Sequence, residues 1–240
     1  LLTPRKSLFL SLRNVYETLA VSAPTVVDAV RGRITREVCD ARLESWASHV
    51  IRNAEIMVTV HGRENLATGK TYVLMSNHQS HYDVPVLYYV LGSNIRMVAK
   101  KELFKVPVFG RAMREAGFVE VDRGNREKAI DSLKEAKRHL EAGTHIWIAP
   151  EGTRSETGAL GEFKKGGFII AQDMQAPIMP ITIQGTREVL RAHGARSRRG
   201  VEVHVTIHPA IDTRAYASMD RRSARDALMA EVRRAIGSGL

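Results

Sequence analysis

From residue 55 onward the chain alternates between two patterns, and that alternation limits the fold more than any other feature. Short apolar runs of strand length occupy 56–61, 71–75, 95–99, 118–121, 145–149, 178–183 and 201–208. Segments of helical pattern lie between or after them at 85–91, 102–116, 126–140 and 219–236. A chain that returns to its sheet after each helix lays its strands mostly parallel, because parallel neighbours need a long crossover. The expected fold is therefore α/β: a central mixed, largely parallel sheet flanked by helices. At 240 residues, one large domain is expected. Residues 55–240 would form it, and 1–54 would be an N-terminal helical element.

Within 7–53 the apolar residues recur at helical spacing. Leu8, Leu12, Val15 and Leu19 form one stripe, widened by Phe9 and Tyr16. Ser22-Ala23-Pro24 is expected to break this helix, with Pro24 in the first turn of the next. A second run from Ile34 puts Leu43, Trp46, Ala47, Val50 and Ile51 on one face, with Arg36, Arg42 and Arg52 nearby. Such stripes usually meet a protein core. The other reading is an amphipathic hairpin lying on a membrane, its basic residues facing lipid phosphates.

The formal net charge of +10 favours anionic partners. Aromatic residues do not interleave with basic ones as they do in single-strand binders, so nucleic acid is not an expected partner. The single cysteine, Cys39, can form neither an internal disulfide nor a cysteine zinc site, and is read as a small packed residue in a reducing, cytoplasmic setting. No run approaches the roughly 18–20 apolar residues that span a bilayer. Arg13 and Glu17 interrupt the first apolar stretch and no small-residue cleavage site follows, so no secretory leader is expected. Because the first residue is Leu, the natural start is expected to lie upstream.

Two loops that follow apolar runs are dense in reactive residue types. In open α/β sheets chemistry gathers where loops leave the carboxyl ends of strands. The first loop reads SNHQSHYDVP, residues 76–85. A regular helix would put His78 and Asp83 about 140° apart. A strand–turn–helix would bring them together, with Asp83 at the helix start and Pro85 in the first turn. An Asp beside an imidazole fixes its tautomer and stabilises the imidazolium. Two other readings compete: Asp83 as a simple helix cap, and His78, His81 and Asp83 as metal ligands. No second His, Asp or Glu cluster completes a metal shell, so no metal is expected. The second loop is Pro150-Glu151-Gly152-Thr153-Arg154-Ser155. Gly152 permits a tight turn, Thr153 and Ser155 offer hydroxyls, and Arg154 offers a planar cation suited to phosphate. Lys100 leaves one expected strand and Arg123 another; both could add charge to the same mouth. The segment 191–200, RAHGARSRRG, reads as a basic surface loop.

The order of the blocks says more than any one block. NHxxxxD (Asn77, His78, Asp83) is followed by a K-x-E-L…P-x-F-G…V-D-R segment running from Lys100 to Arg123. PEGTRS and the Pro-containing apolar strand Ala176-Pro177-Ile178-Met179-Pro180-Ile181 come next. Together, over about 56–210, they resemble the glycerolipid acyltransferase superfamily, which includes 1-acyl-glycerol-3-phosphate acyltransferases. One departure is Ala149, where that family usually has Phe before PEGTRS.

The resemblance implies a fatty acyl transfer from acyl-CoA or acyl carrier protein to the free hydroxyl of 1-acyl-glycerol-3-phosphate, giving phosphatidic acid. Another lyso-lipid or glycerol phosphate is the alternative acceptor, and a non-catalytic basic module binding membrane or nucleic acid the alternative class. His78 would be the general base and Asp83 its orienting partner. Arg154, with Lys100 and Arg123, would grip the acceptor phosphate, and Glu151, Gly152 and Thr153 would complete that pocket. No bound cofactor is implied; the acyl donor is a co-substrate. The partners implied are a lysophospholipid, an anionic membrane surface and, as donor, acyl carrier protein. The protein would sit peripherally on the cytoplasmic side of a membrane, docked by residues 1–54.

Overall fold

The computed structural model describes residues 6–122 and 126–240. Two helices, α1 (Leu8–Val30) and α2 (Arg36–Asn53), lead into β1 (Met57–His61), β2 (Val73–Ser76), α3 (Asp83–Leu91) and β3 (Ile95–Lys100). There follow α4 (Phe109–Glu115), β4 (Val119–Val121), α5 (Arg126–Glu141), β5 (His145–Ile148) and α6 (Gly166–Asp173). The chain closes with β6 (Ile178–Gln184), α7 (Thr186–Val189), β7 (Glu202–Ile207) and α8 (Arg221–Gly237).

The strands form one sheet in the order β1-β7-β6-β2-β5-β3-β4. β6, β2, β5, β3 and β4 are mutually parallel, so their carboxyl ends share one edge. β7 runs antiparallel to β6 and carries β1 parallel to itself. The expected mixed, largely parallel sheet is therefore present. Pro180 lies inside β6, where its missing N–H would cost a ladder bond. The antiparallel pairing of β6 with β7 starts one residue later, at Ile181 opposite Ile207, and the Pro180 carbonyl still accepts from His208 N at 3.0 Å.

Alternate residues of the buried strands serve opposite faces. Leu74, Trp147, Met179 and Ile181 pack with Val86, Leu87 and Tyr88 of α3 and Ala47, Val50 and Ile51 of α2. Val73, Met75, Ile146 and Ile178 pack with Phe168 and Ile170 of α6 and Leu228, Val232 and Ile236 of α8. The result is a three-layer α/β/α sandwich, with each fully buried aliphatic side chain contributing about 1.5–3 kcal/mol.

Two helix boundaries differ from the sequence expectation. α1 runs through Pro24 rather than breaking there. Proline frees the carbonyl four residues earlier; Ala20, Ala23 and Pro24 are all exposed, so water reaches that carbonyl. The chain turns instead at Arg31–Arg33, with Gly32 at φ 66°, and Thr35 Oγ1 caps α2 by accepting from Val38 N. The single helix expected over 102–116 is split into a 3-10 turn (Leu103–Lys105) and α4. Pro107 disfavours helical geometry at Val106, which is extended, and Val108 takes φ 64°. The split folds the turn back on the helix so closely that a Cβ at Gly110 would lie 2.2 Å from the Phe104 carbonyl oxygen.

α1 also settles which way its apolar stripe faces. Leu8, Phe9, Leu12, Val15, Tyr16 and Leu19 are exposed, Phe9 by 69% and Tyr16 by 68%. Its inward side is mostly polar. Trp46 Nε1 donates to Thr18 Oγ1 at 3.0 Å, Asn53 Nδ2 to Asn14 Oδ1 at 3.2 Å, and Arg42 Nη1 to Thr25 Oγ1 at 3.1 Å. Leu10 is the one α1 side chain in the apolar core.

Burial lowers the imidazole pKa values of His139, His145 and His208. Below their unfolded value of about 6.5, the unfolded chain then binds more protons than the folded one, and stability falls as pH falls. The melting temperature is expected to drop between pH 7.5 and pH 5; thermal unfolding followed across that range checks it.

Candidate active site

Loops from the carboxyl ends of β2, β5, β3 and β6 meet at one edge of the sheet, and the two reactive loops are among them. Asn77 anchors the first. Its side chain donates to the Ile183 carbonyl and accepts from Ile183 N, both at 2.8 Å, which ties the end of β2 to β6. Glu151 joins the first loop to the second. Its buried carboxylate accepts from His78 N at 3.0 Å and from Gly161 N at 2.7 Å. The His78 carbonyl in turn accepts from Ser155 N at 2.7 Å. Both backbone groups of His78 are thus held by the PEGTRS loop.

The His78 ring lies edge-on to Trp147, with centroids 5.6 Å apart and planes at 84°. Its Nδ1 is 2.7 Å from Asp83 Oδ2. The Asp83 side chain is wholly buried, and that of His78 is 18% exposed. Asp83 Oδ2 also accepts from Gln79 N at 2.8 Å and Ser80 N at 2.9 Å, while Oδ1 accepts from Thr186 Oγ1 at 2.5 Å. Four donors converge on one carboxylate, which offers the ring only acceptor sites. Nδ1 therefore carries the hydrogen, and Nε2 is left with a free lone pair. This is the tautomer that a base acting through Nε2 requires.

His81 does not join this pair. Part of it is open to solvent, but protein crowds the rest. Lost hydration first, then the positive charge of Arg154, push its imidazole below the ordinary histidine range, with Lys100 adding to the effect and Asp83 opposing it. These couplings place Arg154 and Lys100 in the electrostatic neighbourhood of His81, and Arg154 in that of Asp83 as well. Arg154 is half-buried and makes no ion pair among the described residues; burial lowers its pKa, and Asp83 counters that. A guanidinium stays charged in a protein. Gly152 takes φ 73° at the turn, and Thr153 is exposed. Arg123 lies outside the described residues. Among the described residues, no group of three His, Cys, Asp or Glu is placed to hold a metal ion.

Thr186 and Trp147 belong to the site but carry no signal in the sequence. Thr186 is 103 positions from Asp83 and follows Gly185, whose φ of 91° and close approach to the Glu202 carbonyl leave no room for a Cβ. Trp147 reads only as a strand residue; its Nε1 donates to Ser76 Oγ at 3.0 Å, which fixes the ring beside His78.

A model of the acyltransferase family matches residues 57–184, more than half of the chain, and takes in both reactive loops of this edge, with Thr186 just beyond it. The 1-acyl-sn-glycerol-3-phosphate acyltransferase BAT2, chloroplastic, of Brassica napus is 37% identical over 153 residues, covering 63% of this chain and 44% of the relative. The chain thus spans less than half the length of that relative and of the Arabidopsis thaliana chloroplast one, at 43%. A Saccharomyces cerevisiae 1-acyl-sn-glycerol-3-phosphate acyltransferase is 30% identical over 207 residues, covering 82% of this chain and 68% of the relative. The crystal structure of the 1-acyl-sn-glycerophosphate (LPA) acyltransferase PlsC from Thermotoga maritima matches with a TM-score of 0.71 and 25% identity, covering 95% of this chain and 97% of that one. The order of blocks seen in the sequence, the shared fold and the extent of these matches agree: this chain belongs to the acyltransferase family.

Proposed function

We propose that the protein transfers a fatty acyl group from acyl-CoA or acyl carrier protein to the free hydroxyl of 1-acyl-glycerol-3-phosphate, giving phosphatidic acid. The observation that carries this reading is His78, held through Nδ1 by the buried Asp83 carboxylate, with no hydrogen bond to Nε2 among the described residues. The acceptor is suggested by the names of the relatives.

In this reading His78 Nε2 removes the proton from the glycerol hydroxyl as its oxygen attacks the thioester carbonyl. The new C–O bond gives a tetrahedral intermediate. Its collapse breaks the C–S bond, and the imidazolium returns the proton to the departing sulfur. Asp83 stabilises the imidazolium in between. Both substrates are bound together, so no side-chain nucleophile and no acyl-enzyme are needed. Arg154, a half-buried cation without an ion pair among the described residues, receives the acceptor phosphate, with Lys100 and Arg123 adding charge and Glu151, Gly152 and Thr153 shaping the loop. No bound cofactor takes part.

Residues 1–54 act as the membrane dock of the catalytic unit 55–240, on the cytoplasmic side of a membrane. No helix among the described residues is long and apolar enough to cross a bilayer. The exposed stripe of α1 instead suits the interface, where an amphipathic helix buries its apolar face at the headgroup boundary.

His78→Ala is expected to lower kcat/KM by roughly 10²–10⁴-fold in transfer from palmitoyl-CoA to lysophosphatidic acid; full activity in that variant would remove the proposed base. Thr186→Val should lower kcat about tenfold while Thr186→Ser stays near wild type, since only the valine leaves Asp83 without its fourth donor. Arg154→Ala should raise KM for lysophosphatidic acid roughly 10–100-fold, and the wild type should discriminate against lysophosphatidylcholine. Equal use of both acceptors would remove Arg154 as the specificity element. For the dock, Phe9→Glu with Leu12→Glu should abolish vesicle binding in a flotation assay without lowering the melting temperature, because both side chains face solvent.

A further inference from the structure

The basic loop 191–199 plays no part in the chemistry above. It holds Arg191, Arg196, Arg198 and Arg199 and no acidic residue. Arg198 and Arg199 are turned toward carboxylates, Glu188 at 3.5 Å and Glu55 at 3.3 Å. Arg191 and Arg196 are exposed and make no ion pair among the described residues.

The loop is pinned beside the first turn of α1. Ser7 and Ser197 form an antiparallel bridge, with Ser7 N donating to the Ser197 carbonyl at 2.7 Å and Ser197 N to the Ser7 carbonyl at 3.2 Å. Ser11 Oγ adds a contact to Ser197 Oγ at 2.9 Å. At its other end His193 Nε2 lies 3.0 Å from Glu156 Oε1, and Arg187 donates to the Glu156 carbonyl at 2.9 Å. Glu156 directly follows the PEGTRS turn. The loop thus stands between the exposed apolar residues Leu8, Phe9 and Leu12 and the mouth of the site, with Lys6 and Arg13 exposed on the helix side.

We infer that Arg191 and Arg196 form, with the apolar stripe of α1, one docking surface for an anionic bilayer, and that this loop, more than the helix, supplies its preference for anionic lipid. The inference rests on the docking role given to α1 above. Charge complementarity selects the occupant: apolar side chains rimmed by unpaired arginines match the headgroup boundary of an acidic leaflet. Two free guanidiniums beside the mouth would hold phosphate headgroups where the acceptor must enter.

Flotation on phosphatidylcholine vesicles, with and without phosphatidylglycerol at about a third of the lipid, tests this with the full chain. Arg191→Gln with Arg196→Gln should weaken partitioning onto the anionic vesicles roughly 25-fold, at about fivefold per charge. Binding to the neutral vesicles should stay as in wild type, and Arg191→Lys with Arg196→Lys should restore the loss. The thermal unfolding curve of each variant reports whether it is folded. Unchanged anionic binding in the glutamine pair overturns the inference, as does unchanged binding with a raised KM for acyl carrier protein, which would make the loop a donor-protein contact. A glutamate pair at Phe9 and Leu12 that still floats would instead overturn the docking role of α1.

Discussion

Asp83 has no exposed surface, and a carboxylate so placed is tolerable only while its acceptor sites are filled. The donors come from two parts of the chain: the His78 ring and the Gln79 and Ser80 amides from the loop after β2, and the Thr186 hydroxyl from the turn into α7 after β6. The carboxylate therefore specifies where both loops end. It also orients the ring, because a carboxylate oxygen turned to Nδ1 of His78 is an acceptor to which that nitrogen donates. A site that needs one tautomer obtains it from packing, before any substrate arrives.

The sheet explains why those loops can meet at all. Only parallel neighbours present their carboxyl ends on the same edge, and β6, β2, β5, β3 and β4 are all parallel. The loop of His78 leaves β2 in the middle of this set, with β5 on one side supplying PEGTRS and β6 on the other supplying Thr186. The reversal at β7 comes just beyond β6. It puts the end of β6 at the margin of the reactive edge, where Gly185 can turn sharply against β7 and return Thr186 to Asp83.

Much of this was legible in the sequence. The alternation of apolar runs and helical patterns gave the α/β sheet, and the NHxxxxD and PEGTRS blocks marked the two loops that the structure brings together. A five-residue offset allowed His78 to meet Asp83 across a turn but left a helix cap and a metal set open, and it was the resemblance carried by the order of the blocks that chose the pair. What stayed hidden depends on distant contacts. Thr186 has no neighbour in sequence that points to a carboxylate. The side chains of Trp147 and Leu74 look alike in a strand pattern, although one supports the histidine and the other only fills the core. Pro24 misled because its helix-breaking cost depends on what receives the freed carbonyl, and at that position solvent does.

The orientation of α1 is the clearest case of a pattern that carries half its meaning. Periodicity establishes that one side of the helix is apolar but not which side meets the protein. Here the polar side is inward, and hydrogen bonds to Trp46, Asn53 and Arg42 replace hydrophobic packing. The same polar side reaches the loop that carries His78 and Asp83. Asn14 Nδ2 donates to Tyr82 Oη at 2.8 Å, Tyr82 Oη donates to Ser197 Oγ at 2.9 Å, and Ser197 N donates to Ser11 Oγ at 3.0 Å. Tyr82 is buried and directly precedes Asp83. A helix held by apolar packing could slide with little penalty, whereas one held by directed bonds to buried groups loses those bonds if it shifts. The outward stripe and the Asp83 carboxylate are therefore fixed in one frame, and whatever α1 rests on is held at a set position relative to His78.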